Sequence, residues 1–202
     1  GEMDQLTATW RAVVDEARPR LVVIHGKSGI GKTRLADELG AVARREGADV
    51  RWARCFPGPA LPFEPLVSAV APASELPLSE DPVPTGPALA RADALRAIDV
   101  GVRQLASRPS VLVVDDLQWA SDDVTAALEQ TIAGLVGPLL IVATSRNLPA
   151  PVHAVLSRVQ RSLPTTQLHL KALDPVDLEP LFDDGATAAE RAGELHRRTG
   201  GH

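Results

Sequence analysis

Residues Gly26 to Thr33, GKSGIGKT, combine the residue types a protein needs to hold a chain of phosphates. Gly26, Gly29 and Gly31 free the backbone to turn several N–H groups inward around anionic oxygens. Lys32 follows the last glycine as a mobile point charge for β- and γ-phosphates, and Thr33 adds a hard hydroxyl oxygen suited to Mg²⁺. A helix starting here would also point its positive end at the ligand. The spacing G-x-x-x-x-G-K-T arises by chance on the order of once in a hundred chains of this length, from average residue frequencies. The stretch therefore predicts a Walker A loop for ATP or ADP with Mg²⁺. Its expected contacts are Gly26, Lys27, Ser28, Gly29, Ile30, Gly31, Lys32, Thr33 and Arg34, with Lys27 a solvated or phosphate-adjacent charge rather than an essential one.

Two further groups complete a candidate site. In VLVVDDLQWA, Asp115 closes an apolar run and fits the Walker B acid that holds Mg²⁺ opposite Thr33. Asp116, immediately after it, is the candidate base that orients and polarises the attacking water. The plainer alternative makes Asp116 the cap of the next turn. In IVATSRN, Thr144, Ser145 and Arg146 end another apolar run, and if that strand lies between the other two they emerge beside the phosphates. Arg146 is then the favoured γ-phosphate sensor, against the alternative of a solvated strand end. Lys32, Asp116 and Arg146 form the predicted catalytic set, and Thr33 and Asp115 the predicted metal set.

The flanking patterns put these residues where such chemistry needs them. Leu21 to His25, LVVIH, reads as a buried parallel strand, and Leu35, Leu39 and Val42 recur at helical spacing over Lys32 to Glu46. Asp49 to Arg54 alternates as a second strand, while Pro57 to Pro87 is too rich in proline for a long regular element and predicts a surface excursion with one short helix near Glu64 to Val70. A helix over Ala88 to Ser107, a strand at Val111 to Val114, a helix over Ser121 to Leu135 capped by Ser121 or Asp122, and a strand at Leu139 to Ser145 follow. Thr166 to Leu170 predicts one more strand, then helices over 174–182 and 187–198. This β/α alternation predicts a three-layer α/β/α sandwich with a mainly parallel sheet and ligands at the strands' carboxyl ends. Residues 1–165 are expected to form the core, and residues 166–202 a terminal strand and the beginning of a helical lid.

Composition narrows the function further. A net charge of −5 over 202 residues argues against a chain that neutralises nucleic-acid phosphates itself, and with 3% aromatics there is no base-stacking surface. No apolar stretch is long enough to span a membrane, and the single cysteine, Cys55, suits a reducing compartment, so a cytoplasmic location is expected. Cys55 and Trp119 read as packing residues, and His25, just before Gly26, either touches nucleotide or packs at the strand end. His153, His169, His196 and His202 show no metal-ligand spacing, so no metal beyond magnesium is expected.

Taken together, GKSGIGKTRL, RCFPGPALPFEPL, VVDDLQWAS, ATSRN and ELHRRTGGH resemble the signal-transduction ATPases with numerous domains (STAND), and most nearly the ATPase module of bacterial large LuxR-type regulators. The resemblance runs along nearly the whole chain. It departs at Lys27, where those regulators commonly carry an acid, at Ser121, where they carry aspartate, and at His202, where their Gly-Gly-Asn-Pro motif has asparagine. It implies a piece of a larger protein, cut at the start of its helical lid. It also implies a switch in which ADP holds a resting state, and an inducer of unknown identity permits ATP exchange and self-association through the full-length protein. Slow hydrolysis then resets the switch. Two other readings of the same residues stay open: a phosphotransferase acting on a small molecule, and an AAA-type loader ATPase.

Overall fold

In a computed structural model, which describes residues 1–58, 63–70, 87–172 and 191, strand polarity dictates strand position. Three strands, β1 (Arg20–His25), β3 (Ser110–Asp115) and β4 (Leu139–Ser145), are nearly continuous apolar runs and are buried along their length. Two others, β2 (Asp49–Arg54) and β5 (Thr165–His169), mix polar and apolar residues and are partly exposed. The sheet order is β2-β3-β4-β1-β5 with every neighbouring pair parallel, so the apolar strands occupy the centre and the mixed ones the edges. β4 lies between β1 and β3, the arrangement that brings all three candidate motifs to one end of the sheet.

Alternate residues of each central strand serve opposite faces. Val22, Ile24, Val111, Val113, Leu140 and Val142 meet α1 (Glu2–Glu16) and α2 (Lys32–Arg45). Leu21, Val23, Leu112, Val114, Ile141 and Ala143 meet α3 (Glu64–Val70), α4 (Pro87–Ala106), α5 (Asp122–Ile132) and α6 (Ala150–Val159). The result is the expected α/β/α sandwich. Burial of each such Val, Leu or Ile contributes roughly 1.5–3 kcal/mol, so these two apolar layers, rather than the exposed ion pairs, hold the sheet rigid beneath the loops.

Two helices go beyond the sequence reading. α1 buries Leu6, Trp10 and Val13, spaced four and three apart, and Trp10 Nε1 donates to Glu46 Oε2 at 2.6 Å, tying α1 to the end of α2. α6 buries Val152, Leu156 and Val159 at the same spacing. Its prolines, which argue against a helix in general, fall at the cap and in the first turn, where a missing N–H costs nothing. α5 starts where expected, with Ser121 accepting from Val124 N at 3.3 Å, but stops at Ile132, before Leu135. The division expected between residues 165 and 166 cuts through β5, whose pairing along β1 from Leu21↔Thr165 to His25↔His169 makes it the edge of the core sheet. The helices expected over 174–182 and 187–198 lie outside the described residues.

Candidate nucleotide site

The loop between β1 and α2 begins under steric constraint. At Gly26, φ is 157° and an added Cβ would sit 2.6 Å from the carbonyl oxygen of Leu170. Leu170 N in turn donates to His25 O at 2.8 Å, so the exit of β5 clasps the entry of the loop. Gly31 differs: φ is 99° at the N-cap of α2 and no atom lies within 4 Å of an added Cβ, so only its left-handed backbone requires glycine. Gly26→Ala is therefore expected to force the β1–β5 junction apart, at a cost of about 1–3 kcal/mol and several degrees in thermal midpoint. Differential scanning calorimetry checks this, and an unchanged midpoint contradicts it.

Lys32, the first residue of α2, folds back over the loop. Its Nζ donates to the carbonyls of Gly26 at 3.0 Å and Lys27 at 2.8 Å, and the residue is only 6% exposed. Burial pulls the ammonium below the ordinary lysine range. Asp116 opposes that shift, Arg146 adds to it, and Asp115 opposes it. The ammonium thus lies within the electrostatic reach of both acids and of the strand-end arginine.

Thr33 and Asp115 meet across 82 positions of sequence: Thr33 Oγ1 donates to Asp115 Oδ1 at 3.0 Å and lies 3.3 Å from Oδ2. A hydroxyl and a carboxylate converging at the mouth of the loop form the hard oxygen donor set that suits Mg²⁺. Behind them, buried Thr144 donates its hydroxyl to Asp115 Oδ1 at 2.6 Å and accepts from Asp116 N at 2.9 Å, fixing the carboxylate's orientation. The Thr144 and Ser145 hydroxyls, offered above with Arg146 as phosphate sensors, are both buried and spent on protein partners.

Asp116 stands at φ 57°, ψ 47°, a left-handed conformation that aspartate tolerates better than most residues. It precedes the 3₁₀ turn Leu117–Trp119, but its side chain makes no capping hydrogen bond there. Asp116 instead lines an open cleft of about 260 Å³ together with Ser28, Gly29, Gly31, Lys32, Thr33, Arg34 and Arg146. Arg146 is exposed, and Arg34 is paired with Glu38 at 3.0 Å on the surface of α2. Lys27 is exposed, and Ile30 is half-buried. The sequence reading missed Gln118, whose amide bridges Asp116 to the end of β4. Nothing in a single glutamine after an acidic pair signals that bridge.

The neighbouring residues separate into inert and responsive. Cys55 is buried, and its thiol is pushed up to about 12 by burial, then by Asp115, Asp116 and Glu64, so it is not a nucleophile at neutral pH. Trp119, read as a packing residue, is 44% exposed: the short 3₁₀ turn carries it outward. His25 stacks on His169 with ring centroids 4.7 Å apart and planes at 15°. Burial and then the charge of His169 hold its pKa below the ordinary histidine value. The unfolded chain therefore binds more protons here than the folded one, so stability is intact above about pH 6.5 and is lost as pH falls through the lowered value. Between about pH 7.5 and 5.5 the thermal midpoint is expected to fall, and to fall less steeply in His25→Gln; parallel slopes by calorimetry contradict this.

Comparison with known proteins agrees with this geometry. Residues 1–142 match the AAA ATPase domain family. No curated protein matches the chain. Among solved structures, the ORC2 protein of Aeropyrum pernix, in its ADPNP-ADP complexes, superposes with a TM-score of 0.61 at 17% identity, over 96% of this chain and 51% of that one. The ORC1 protein of the same organism, in complex with DNA, gives 0.60 at 17% identity, over 98% and 54%. Cdc6p of Pyrobaculum aerophilum gives 0.60 at 15%, over 93% and 49%. The chain thus spans about half the length of these structures, and the likeness is one of fold. The family match spans most of the chain and takes in both the loop and the paired acids, and this chain belongs to the AAA ATPase domain family.

Proposed function

We propose that this chain binds ATP or ADP with Mg²⁺ at Gly26 to Thr33 and hydrolyses ATP slowly, as the regulatory switch module of a larger signalling or transcription-regulatory protein. The observation that carries the reading is the meeting of Thr33 Oγ1 and Asp115 Oδ1 at 3.0 Å beside the buried Lys32 ammonium, with Asp116 lining the cleft that Lys32 and Thr33 also line. In this reading the loop amides and Lys32 grip the phosphates, and Thr33 and Asp115 hold the magnesium. Bound magnesium supplies neutralisation of phosphate charge. Asp116 takes the proton of the attacking water, and Arg146, which lines the same cleft, reports the γ-phosphate.

The switch role rests on the resemblance to STAND ATPases and large LuxR-type regulators. The resemblance implies that the inducer, the output and the self-association belong to the full-length protein. Among the described residues no helix is long and apolar enough to cross a membrane. The fold likeness to ORC and Cdc6 proteins, one of them solved with DNA, favours a loader as the second reading. The net charge of −5 weighs against direct DNA contact by these residues. Turnover assays decide between switch and transferase: ADP release is expected to be the same with and without small-molecule acceptors, and acceptor-dependent release overturns the choice. Retention of duplex DNA by the chain at physiological salt would favour the loader.

A further inference from the structure

The half-buried amide of Gln118 has a partner for each of its faces. Its Nε2 donates to Asp116 Oδ1 at 2.8 Å, while its Oε1 accepts from Arg146 N at 2.9 Å and from Ser145 Oγ at 3.1 Å. Arg146 N can only donate and the Asp116 carboxylate, when ionised, can only accept. The amide therefore has one orientation that satisfies all three partners, and a flipped amide loses the contacts to both Arg146 N and Asp116. Ser145 shares its hydroxyl with the carbonyl of Asn147, which anchors the strand end independently. On the acid's other side, Asp116 N is held by Thr144 Oγ1 at 2.9 Å. Asp116 is thus gripped at its backbone and at one carboxylate oxygen, both times by groups linked to β4.

We infer that Gln118 is a positioning residue that sets the Asp116 carboxylate in the cleft and couples it to the backbone of Arg146. This rests on the reading of Asp116 as the base for hydrolysis. Gln118 ties down Oδ1, leaving Oδ2 for the water, and the same amide fixes the point at which the arginine's main chain leaves the sheet. A shift of Arg146 therefore moves the acid with it. The left-handed backbone of Asp116 makes the tie necessary, since an acid on an unfavoured backbone has more to gain by relaxing when a partner is lost.

The test uses the whole chain, two substitutions and their combination. Gln118→Glu keeps the size and both acceptor contacts to β4 but turns an oxygen toward Asp116 in place of the N–H. It is expected to leave the ATP affinity and KM within about twofold and to lower kcat roughly 10- to 100-fold. In the Asp116→Asn background the same change is expected to have no further effect, because it keeps the contacts to Arg146 N and Ser145 and alters only the one to the acid. Gln118→Leu removes every contact and is expected to lower kcat further, with the KM-against-kcat split showing whether binding suffers as well. An unchanged kcat in Gln118→Glu, or an equal loss in the Asp116→Asn background, overturns the inference while leaving the Asp116 reading intact. If Asp116→Asn itself turns over at the wild-type rate, the reading of Asp116 as the base fails and the coupling falls with it.

Discussion

Asp116→Asn is expected to bind ATP as the wild type does and to hydrolyse it on the order of 10²- to 10⁴-fold more slowly, the range a positioned proton acceptor contributes. The substitution isolates that role. Asparagine tolerates the left-handed backbone found at φ 57°, and its amide oxygen can still accept from Gln118 Nε2, so the turn and its bridge to β4 survive. What disappears is the ability to take a proton from water. Steady-state phosphate release at saturating ATP, paired with a direct binding titration, separates the effects. Undiminished turnover would return Asp116 to the role of a turn residue.

The second large effect belongs to Lys32. Its ammonium is the cation nearest the loop's interior, buried over the carbonyls of Gly26 and Lys27. Lys32→Ala leaves the charges of Asp115 and Asp116 without the ammonium they act on, so a polyphosphate loses its buried cation. Loss of charge-assisted contacts to two phosphates is expected to weaken Mg-ATP binding roughly a hundredfold or more. Competition against a fluorescent nucleotide measures it. The thermal midpoint without nucleotide should change little, because burial of the lysine disfavours its charged form and so offsets the two hydrogen bonds it loses. An affinity equal to that of the wild type would move the site away from this loop.

The legible parts of the fold were those written in one stretch of chain. Leu21 to His25 and Val111 to Val114 announce central strands because a strand covered on both faces needs apolar residues at every position. The GKSGIGKT loop announces itself because its glycines, Lys32 and Thr33 each answer a different demand at fixed spacing. α1 went unread although Leu6, Trp10 and Val13 carry helical spacing, since the sequence on its own gives them no face to cover. α6 was hidden by its prolines, which signal a break unless their place at the helix start is known. The partners of Asp116 were beyond reach for a different reason. Thr144 and Gln118 come to it through the neighbouring strand and a 3₁₀ turn, and the direction in which a strand-end hydroxyl points depends on register. Thr144 and Ser145 therefore look like sensors in sequence and turn out to be braces in space.

Calorimetric titration of ATP into the wild-type chain, once with Mg²⁺ and once with a chelator, tests the central claim most directly. The pairing of Thr33 with Asp115 predicts one site per chain, with affinity that falls when the metal is withdrawn. Equal binding with and without Mg²⁺, or no binding in either, would contradict it.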